Sequence, residues 1–294
     1  MVKKRNILWF IVPVTVLYLV FFMYPVLDSI FVSFFDWSGF SSKMVFKGIG
    51  NYKELFRDPL FMLCMKNTAI YMFFGGILIF VLSFIFVFIF NSGIRFKKFF
   101  RAVIFLPNII ATIALVNIWN FIYNPNFGLL NGILRAVGLD ILTRPWTAPN
   151  RAIWAVLVAT VWIHTGFYTI ILLSGAEKVP PYYYEAADLD GANRYQKFFK
   201  VTIPLIWEEL RIAVTLWLIT SIKMFEFIYA FGSSGYPSEK VWTGTVYMYI
   251  LSFGKRTVVY RLGYASALAV VLMIMIVLVS IITSRIFKRE AIEY

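Results

Sequence analysis

Residues 177–205 read EKVPPYYYEAADLDGANRYQKFFKVTIPL, the longest run of polar and charged side chains in the second half of an otherwise apolar chain. Pro180 and Pro181 suit the first turn of a helix, where a missing N–H costs nothing, and Tyr182 to Asp190 contains no breaker. Gly191 ends that helix. Asn193 is a good N-cap for a second one, in which Arg194, Lys197 and Lys200 line one side and Tyr195, Phe198 and Phe199 another. Pro204 marks the boundary with the next apolar segment. The stretch therefore reads as a compact helix–turn–helix, and the apolar segments on either side hold it at a membrane surface. Ala186 and Ala187 offer a place where another body can approach closely.

Working outward, the composition requires a membrane. Of 294 residues, 61% are hydrophobic, 19% aromatic and 15% charged, more apolar surface than a soluble domain of this length can bury. The net charge of +13 does not point to nucleic acid, because the basic residues form short clusters beside apolar spans. With one cysteine, Cys64, and one histidine, His164, the chain has neither an intramolecular disulfide nor the usual multi-histidine metal site. It contains no GxxxxGK[ST] loop, no G-x-S-x-G elbow and no HExxH. Any nucleotide hydrolysis that powers it must come from another polypeptide.

A spanning helix needs about 20 mostly apolar residues. Ile7 to Leu27 supplies the first crossing behind the cluster Lys3, Lys4, Arg5, and its length and bulky end favour a retained helix over a cleaved signal peptide. Further spans are expected at Thr68–Phe90, Ala102–Tyr123, Ala152–Leu173, Trp207–Phe231 and Leu262–Ser284, with short helices near Asn51–Phe56 and Leu129–Val137. Gly232 to Arg261 reads as a loop. Six crossings put both termini on one side, and the denser basic residues in the segments on that side place the termini and residues 177–205 in the cytoplasm. The expected organisation is an N-terminal helix with its extracellular loop over 1–66, a transmembrane core over 67–286 and a cytoplasmic tail over 287–294.

The spacing Glu185-Ala186-Ala187, three residues, Gly191, nine residues, Val201-Thr202-Ile203-Pro204 resembles the EAA signature, EAA-x3-G-x9-I-x-L-P, of permease subunits of binding-protein-dependent ABC importers. GIGNYKELFRDPLF (48–61), FLPNIIATIALVNIW (105–119), KMFEFIYAF (223–231) and YRLGYASALAVVL (260–272) resemble the carbohydrate-uptake type, and the likeness runs over nearly the whole chain. One departure is the segment Gly232-Ser233-Ser234-Gly235-Tyr236-Pro237, where such permeases usually carry a Gly-Gly-Pro turn. The resemblance implies an all-α membrane protein of six transmembrane helices, a type I ABC-importer-like permease in a prokaryotic cell membrane, with no catalysis, cofactor or metal of its own. It also implies a second permease subunit, most readily a different chain, a cytoplasmic ATPase dimer that hydrolyses ATP, and an extracellular solute-binding protein. Glu185, Ala186, Ala187, Asp188, Gly191 and Pro204 become the ATPase-coupling residues.

Lys223 and Glu226 are costly inside a membrane, and spaced i,i+3 on one helix they can face each other. With Asn117, Trp119, Asn120, Trp162, His164, Tyr168 and Tyr229 they are candidates for the translocation path, because sugars are bound by amide hydrogen bonds and aromatic faces. His164 also suits a helix–helix hydrogen bond. Arg194, Lys197 and Lys200 suit acidic lipid head groups. A rival reading, a secondary transporter or channel, would use Lys223, Glu226 and His164 as an ion relay, but the two halves carry no convincing inverted repeat.

Overall fold

The computed structural model describes residues 4–231, 237–254 and 260–287, with side chains from residue 11 onward. Lys3, the side chains of Lys4 and Arg5, residues 232–236 of the segment that departs from the Gly-Gly-Pro pattern, and the tail beyond 287 lie outside the described residues. Among those described, the regular structure is helical apart from one antiparallel ladder of two residues a side, with Phe35 opposite Phe46 and Asp36 opposite Val45.

Among the described residues, five helices are long and apolar enough to cross a membrane: Ile11–Val32, Pro59–Asn91, Ala152–Ala176, Trp207–Ala230 and Leu262–Ile286. Lys97–Ile109 and Thr112–Ile122 pass the same test only as a pair with 99° between them, a broken span or a re-entrant loop, which makes the count among the described residues five crossings, or six if the pair is one span. The continuous span expected over Ala102–Tyr123 is therefore broken at Ile110 and Ala111, whose backbones are extended with ψ of 137° and 136°. Pro107 cannot donate to the carbonyl one turn back, and β-branched Ile109, Ile110, Thr112 and Ile113 add little helix propensity, so this is the weakest place in the span. Three further differences concern boundaries. The second span begins at Pro59, well before Thr68, because Lys66 does not interrupt it. Trp207–Ile222 stops at Lys223 and a short helix resumes at Glu226–Ala230. Finally, Gly244–Phe253 is a helix inside the segment expected as a loop. At 1.5 Å per residue it is about 15 Å long, half the bilayer core.

The chain forms two compact units, residues 1–62 with 244–274, and residues 63–243 with 275–294. In the first, the Asn51 amide donates to the carbonyls of Ser33 (2.9 Å) and Phe35 (2.8 Å), tying the Gly50–Leu55 helix to the chain that leaves the first span. Asp58 accepts hydrogen bonds from the hydroxyls of Tyr247 (2.5 Å) and Tyr264 (2.8 Å). Burial works against its charge, but the two phenols and the amide of Leu60 outweigh it and hold the carboxyl below its usual range.

Small residues bring the helices of the second unit together. A Cβ on Gly166 would lie 1.9 Å from the carbonyl oxygen of Ile104, so the Ala152–Ala176 helix touches the backbone of Lys97–Ile109 there. Gly75 and Gly76 leave room for Trp217, which is 1% exposed and donates from its indole to the carbonyl of Met72 at 2.8 Å. That carbonyl belongs to a π-helical turn, Tyr71–Gly75. Asn67 donates to the carbonyls of Lys240 and Trp242, both at 3.0 Å. Asn131 donates to the carbonyls of Pro125 and Arg144 and accepts from the Trp146 indole at 2.7 Å, which fixes the loop between two spans.

Gly166→Ala forces backbone apart and is expected to cost about 1–3 kcal/mol. Gly132→Ala, on a helix where an added Cβ meets nothing within 4 Å, is expected to be neutral or to gain up to about 1 kcal/mol. Thermal unfolding of the purified chain in detergent, followed by tryptophan fluorescence, separates the two.

Candidate functional site

The segment 177–205 folds as two short helices joined by a tight turn. Pro180 is extended, and Pro181–Leu189 follows with Pro181 in its first turn and no buried residue. Glu185, Ala186 and Asp188 are exposed, Ala187 half-buried, and Leu189 is 91% exposed. The helix closes with Ala192 N–H on the carbonyl of Ala187 and Gly191 N–H on that of Asp188, the two bonds of a Schellman ending. Such an ending needs a left-handed residue, and Gly191 supplies it at φ +73°. Asn193 then caps the next helix through a reciprocal box with Gln196, with bonds of 2.9 and 2.8 Å. Arg194–Lys197 runs into a π-helical turn, Phe198–Thr202, and a last turn, Ile203–Leu205, so the break from the following span falls at Ile206 rather than at Pro204.

Two contacts lock this pair together. Lys197 Nζ lies 2.6 Å from Asp188 Oδ1, and the Tyr184 and Thr202 hydroxyls are 3.0 Å apart. Three more tie its base to the spans. Glu177, just past the Ala152–Ala176 helix, accepts from Arg101 and from Lys97 at 2.8 Å, while Lys178 stands 3.7 Å from Glu209. The Arg101 hydrogen bond, opposed by burial and aided by Lys97, holds the Glu177 carboxyl below its usual range. The helix pair is thus a stiff projection on charged supports.

Deeper in the same unit, a cavity of about 610 Å³ opens where two helices are interrupted, at 110–111 and at 223–225. Its polar lining comes from Asn108, Thr112, Thr160, His164, Thr220, Lys223 and Glu226. Glu226 accepts from Thr112 Oγ1 at 2.9 Å, and among the described residues no ion pair joins it to Lys223. The facing pair expected on one helix does not form, because the helix stops between the two residues. The interruption releases the carbonyl of Met224, which buried Thr243 takes up at 2.7 Å. His164 Nδ1 is 2.9 Å from the carbonyl of Thr160, one turn back on its own helix, and its ring meets Trp217 edge-on at 5.6 Å. This bond stays within its own helix and engages only one of the two ring nitrogens.

Of the path candidates, His164, Lys223 and Glu226 line this cavity, and the rest do not. Trp119 is 9% exposed, packs edge-on against Trp162 at 5.7 Å, and its indole N–H has no partner among the described residues. Asn117 is exposed and Asn120 half-buried on the same helix. Tyr168 is 1% exposed between Phe80 and Trp217, and Tyr229 stacks on Phe225 at 5.0 Å. The cavity adds Asn108, Thr112, Thr160 and Thr220 to the candidates. Asn108 is visible in sequence as an amide at membrane depth, whereas a lone threonine in an apolar span gives no such signal.

The family model described as binding-protein-dependent transport system inner membrane component matches residues 89–291. The chain is 35% identical over 302 residues to the probable ABC transporter permease protein YurN of Bacillus subtilis, covering 98% of each chain. It is 30% identical over 272 residues to the diacetylchitobiose uptake system permease protein NgcF of Streptomyces coelicolor, covering 89% of this chain and 76% of that one. A chain of a bacterial ABC transporter involved in import of the acidic polysaccharide alginate superposes with a TM-score of 0.79 at 23% identity, over 97% of this chain and 98% of that one.

A carboxyl whose folded pKa is depressed stabilises the fold above its unfolded value and loses that contribution as pH falls through the folded one. Glu177→Gln is therefore expected to lower Tm at neutral pH, and the gap to wild type should close below pH 4.5, the ordinary value for this carboxyl. A pH series of melting curves reads this. For the cavity, Lys223→Cys and Glu226→Cys in a Cys64→Ser background should react about tenfold faster with a polar thiol reagent than the enclosed Tyr168→Cys.

Proposed function

Because the chain belongs to the family of inner membrane components of binding-protein-dependent transport systems, we propose that it forms part of an import pathway for a sugar or a related solute, driven through residues 177–205. The chain is a multi-pass permease subunit of an ABC importer, and it works with a separate ATPase. It is not an enzyme. The observation that carries the coupling role is the projecting helix pair itself: an exposed helix with Ala186 and Ala187 on it, closed by a left-handed glycine and cross-tied by Lys197 and Asp188. A stiff projection of this kind transmits a push, where a solvated loop would absorb it.

In this reading Glu185 presents a carboxylate to a basic group of the ATPase, Ala186 and Ala187 admit its surface, and Gly191 sets the angle of the turn. Pro204 stays near the point where the pair returns to the membrane. Closure of two ATPase subunits on ATP presses the pair and, through Glu177, the ends of two spans. Both termini face the cytoplasm. A second permease subunit, most readily a different chain, completes the pathway, and an extracellular solute-binding protein delivers the cargo. The sugar class is supported by the name of the diacetylchitobiose relative and by the cavity, whose amide, hydroxyls and imidazole suit a polyhydroxylated solute. Lys223 and Glu226 mark its polar wall.

Charge reversal at a docked contact costs several kcal/mol, each 1.4 kcal/mol being tenfold. Glu185→Lys and Gly191→Val, made in the assembled transporter, are expected to lower ATP-driven uptake of labelled solute into vesicles at least about tenfold while the amount of inserted chain stays unchanged. Wild-type uptake by both variants would sink the coupling role. Uptake that persists after ATP is exhausted would instead favour an ion-driven relay through His164, Lys223 and Glu226.

A further inference from the structure

A second cavity, of about 420 Å³, lies beneath the projecting helix pair. Its walls come from the end of the Pro59–Asn91 span (Phe88, Asn91), the turn after it (Ser92, Gly93), and the pair itself (Tyr184, Arg194, Lys197, Phe198). The coupling role has no use for it. One end of its lining is aromatic, with Phe88 edge-on to Phe198 at 5.3 Å and stacked with Tyr195 at 5.2 Å. The other is cationic and hydroxylic. Asp188 already neutralises Lys197, whereas Arg194 is exposed and pairs with no carboxylate among the described residues.

The location narrows what such a cavity can take. It opens where a membrane-spanning helix ends, so its mouth stands at the boundary between hydrocarbon and water. The last turns of that helix also carry Ile85 and Ile89, 47% and 39% exposed, and Phe199 beside the cavity residue Phe198 is 63% exposed. A basic hollow with an apolar approach, flanked by an exposed tyrosine, matches an amphiphile whose head is anionic and whose tail stays in the bilayer. A wholly soluble anion gains nothing from the aromatic end. We propose that this cavity holds the phosphodiester head group of an anionic phospholipid, with Arg194 as its principal cation and the acyl chains running down the Pro59–Asn91 span. Phosphate oxygens present the planar guanidinium with a bidentate acceptor. A lipid seated there bridges the end of a span to the base of the projecting pair, and so sets the resting position of the pair. The consequence for coupling rests on the transport role proposed above; the binding itself does not.

The test uses the full chain purified in mild detergent, with the number of bound phospholipids counted by native mass spectrometry after exchange into phosphatidylglycerol or phosphatidylcholine. Wild type should retain phosphatidylglycerol over phosphatidylcholine. Arg194→Gln should lower that retention about tenfold, the worth of one charge-assisted hydrogen bond. Ser92→Trp, which fills the cavity without changing charge, should do the same, whereas Lys98→Gln, an exposed cation outside the lining, should change it less than about twofold. Equal losses at Arg194 and Lys98 would show diffuse surface attraction and overturn the site. So would the absence of any preference for phosphatidylglycerol, or its displacement by millimolar inorganic phosphate, which would indicate a site for a soluble anion. Neither ATP nor a partner subunit enters the measurement, so a chain that keeps its lipid yet fails to couple would count against the transport role alone.

Discussion

A carbonyl released by a helix inside a bilayer has no water to turn to, and each one left unmatched costs several kcal/mol. At several places where the second unit departs from regular helix, a side-chain donor meets a carbonyl. Thr243 meets the carbonyl of Met224 at the interruption after Ile222, and Trp217 meets that of Met72 in the π-helical turn. Asn67 meets two more, at Lys240 and Trp242. These donors let a permease have broken helices at all. The large cavity lies at two breaks, with Asn108 and Thr112 beside one and Lys223 and Glu226 beside the other, where Thr243 meets the freed carbonyl.

The same economy governs the charged groups. Lys223 and Glu226 would be expensive in the middle of a continuous helix facing lipid; at a break, facing a cavity, they keep access to water. At the other extreme, Glu177 gathers Lys97 and Arg101 onto one carboxylate just outside the apolar zone, where charge is cheap and partly screened. A charge that is cheap in position can still be specific in geometry. It fixes the end of the Ala152–Ala176 helix against the start of Lys97–Ile109, and the projecting pair is built onto that junction.

Much of this could be read from residues alone. The helix–turn–helix of 177–205 followed from Pro181, Gly191 and Asn193, because each of these has one conformational role that tertiary packing rarely overrides. The spans followed from length and hydropathy. Breaks within spans did not, since Ala102–Tyr123 and Trp207–Phe231 are apolar enough to pass as continuous, and in the second the freed carbonyl of Met224 is met by Thr243, nineteen residues away. Gly244–Phe253 escaped because ten residues are too few to register as a crossing. In the candidate path, His164, Lys223 and Glu226 stood out as polar groups in apolar surroundings. Trp119 and Tyr168 shared that chemistry but pack among other aromatics, a difference that depends on which way each side chain points.

The close approach of Gly166 to Ile104 has a mechanical meaning. Ala152–Ala176 is a stiff rod held to its neighbour at that glycine, about 15 Å from its Glu177 end and about 21 Å from its far end. Glu177, at the near end, is held to Lys97 and Arg101 of that same neighbour, so the rod is fastened at two points along one side and has no pivot between them. Two fastenings make one body of two helices. His164, two residues from the glycine, belongs to that body.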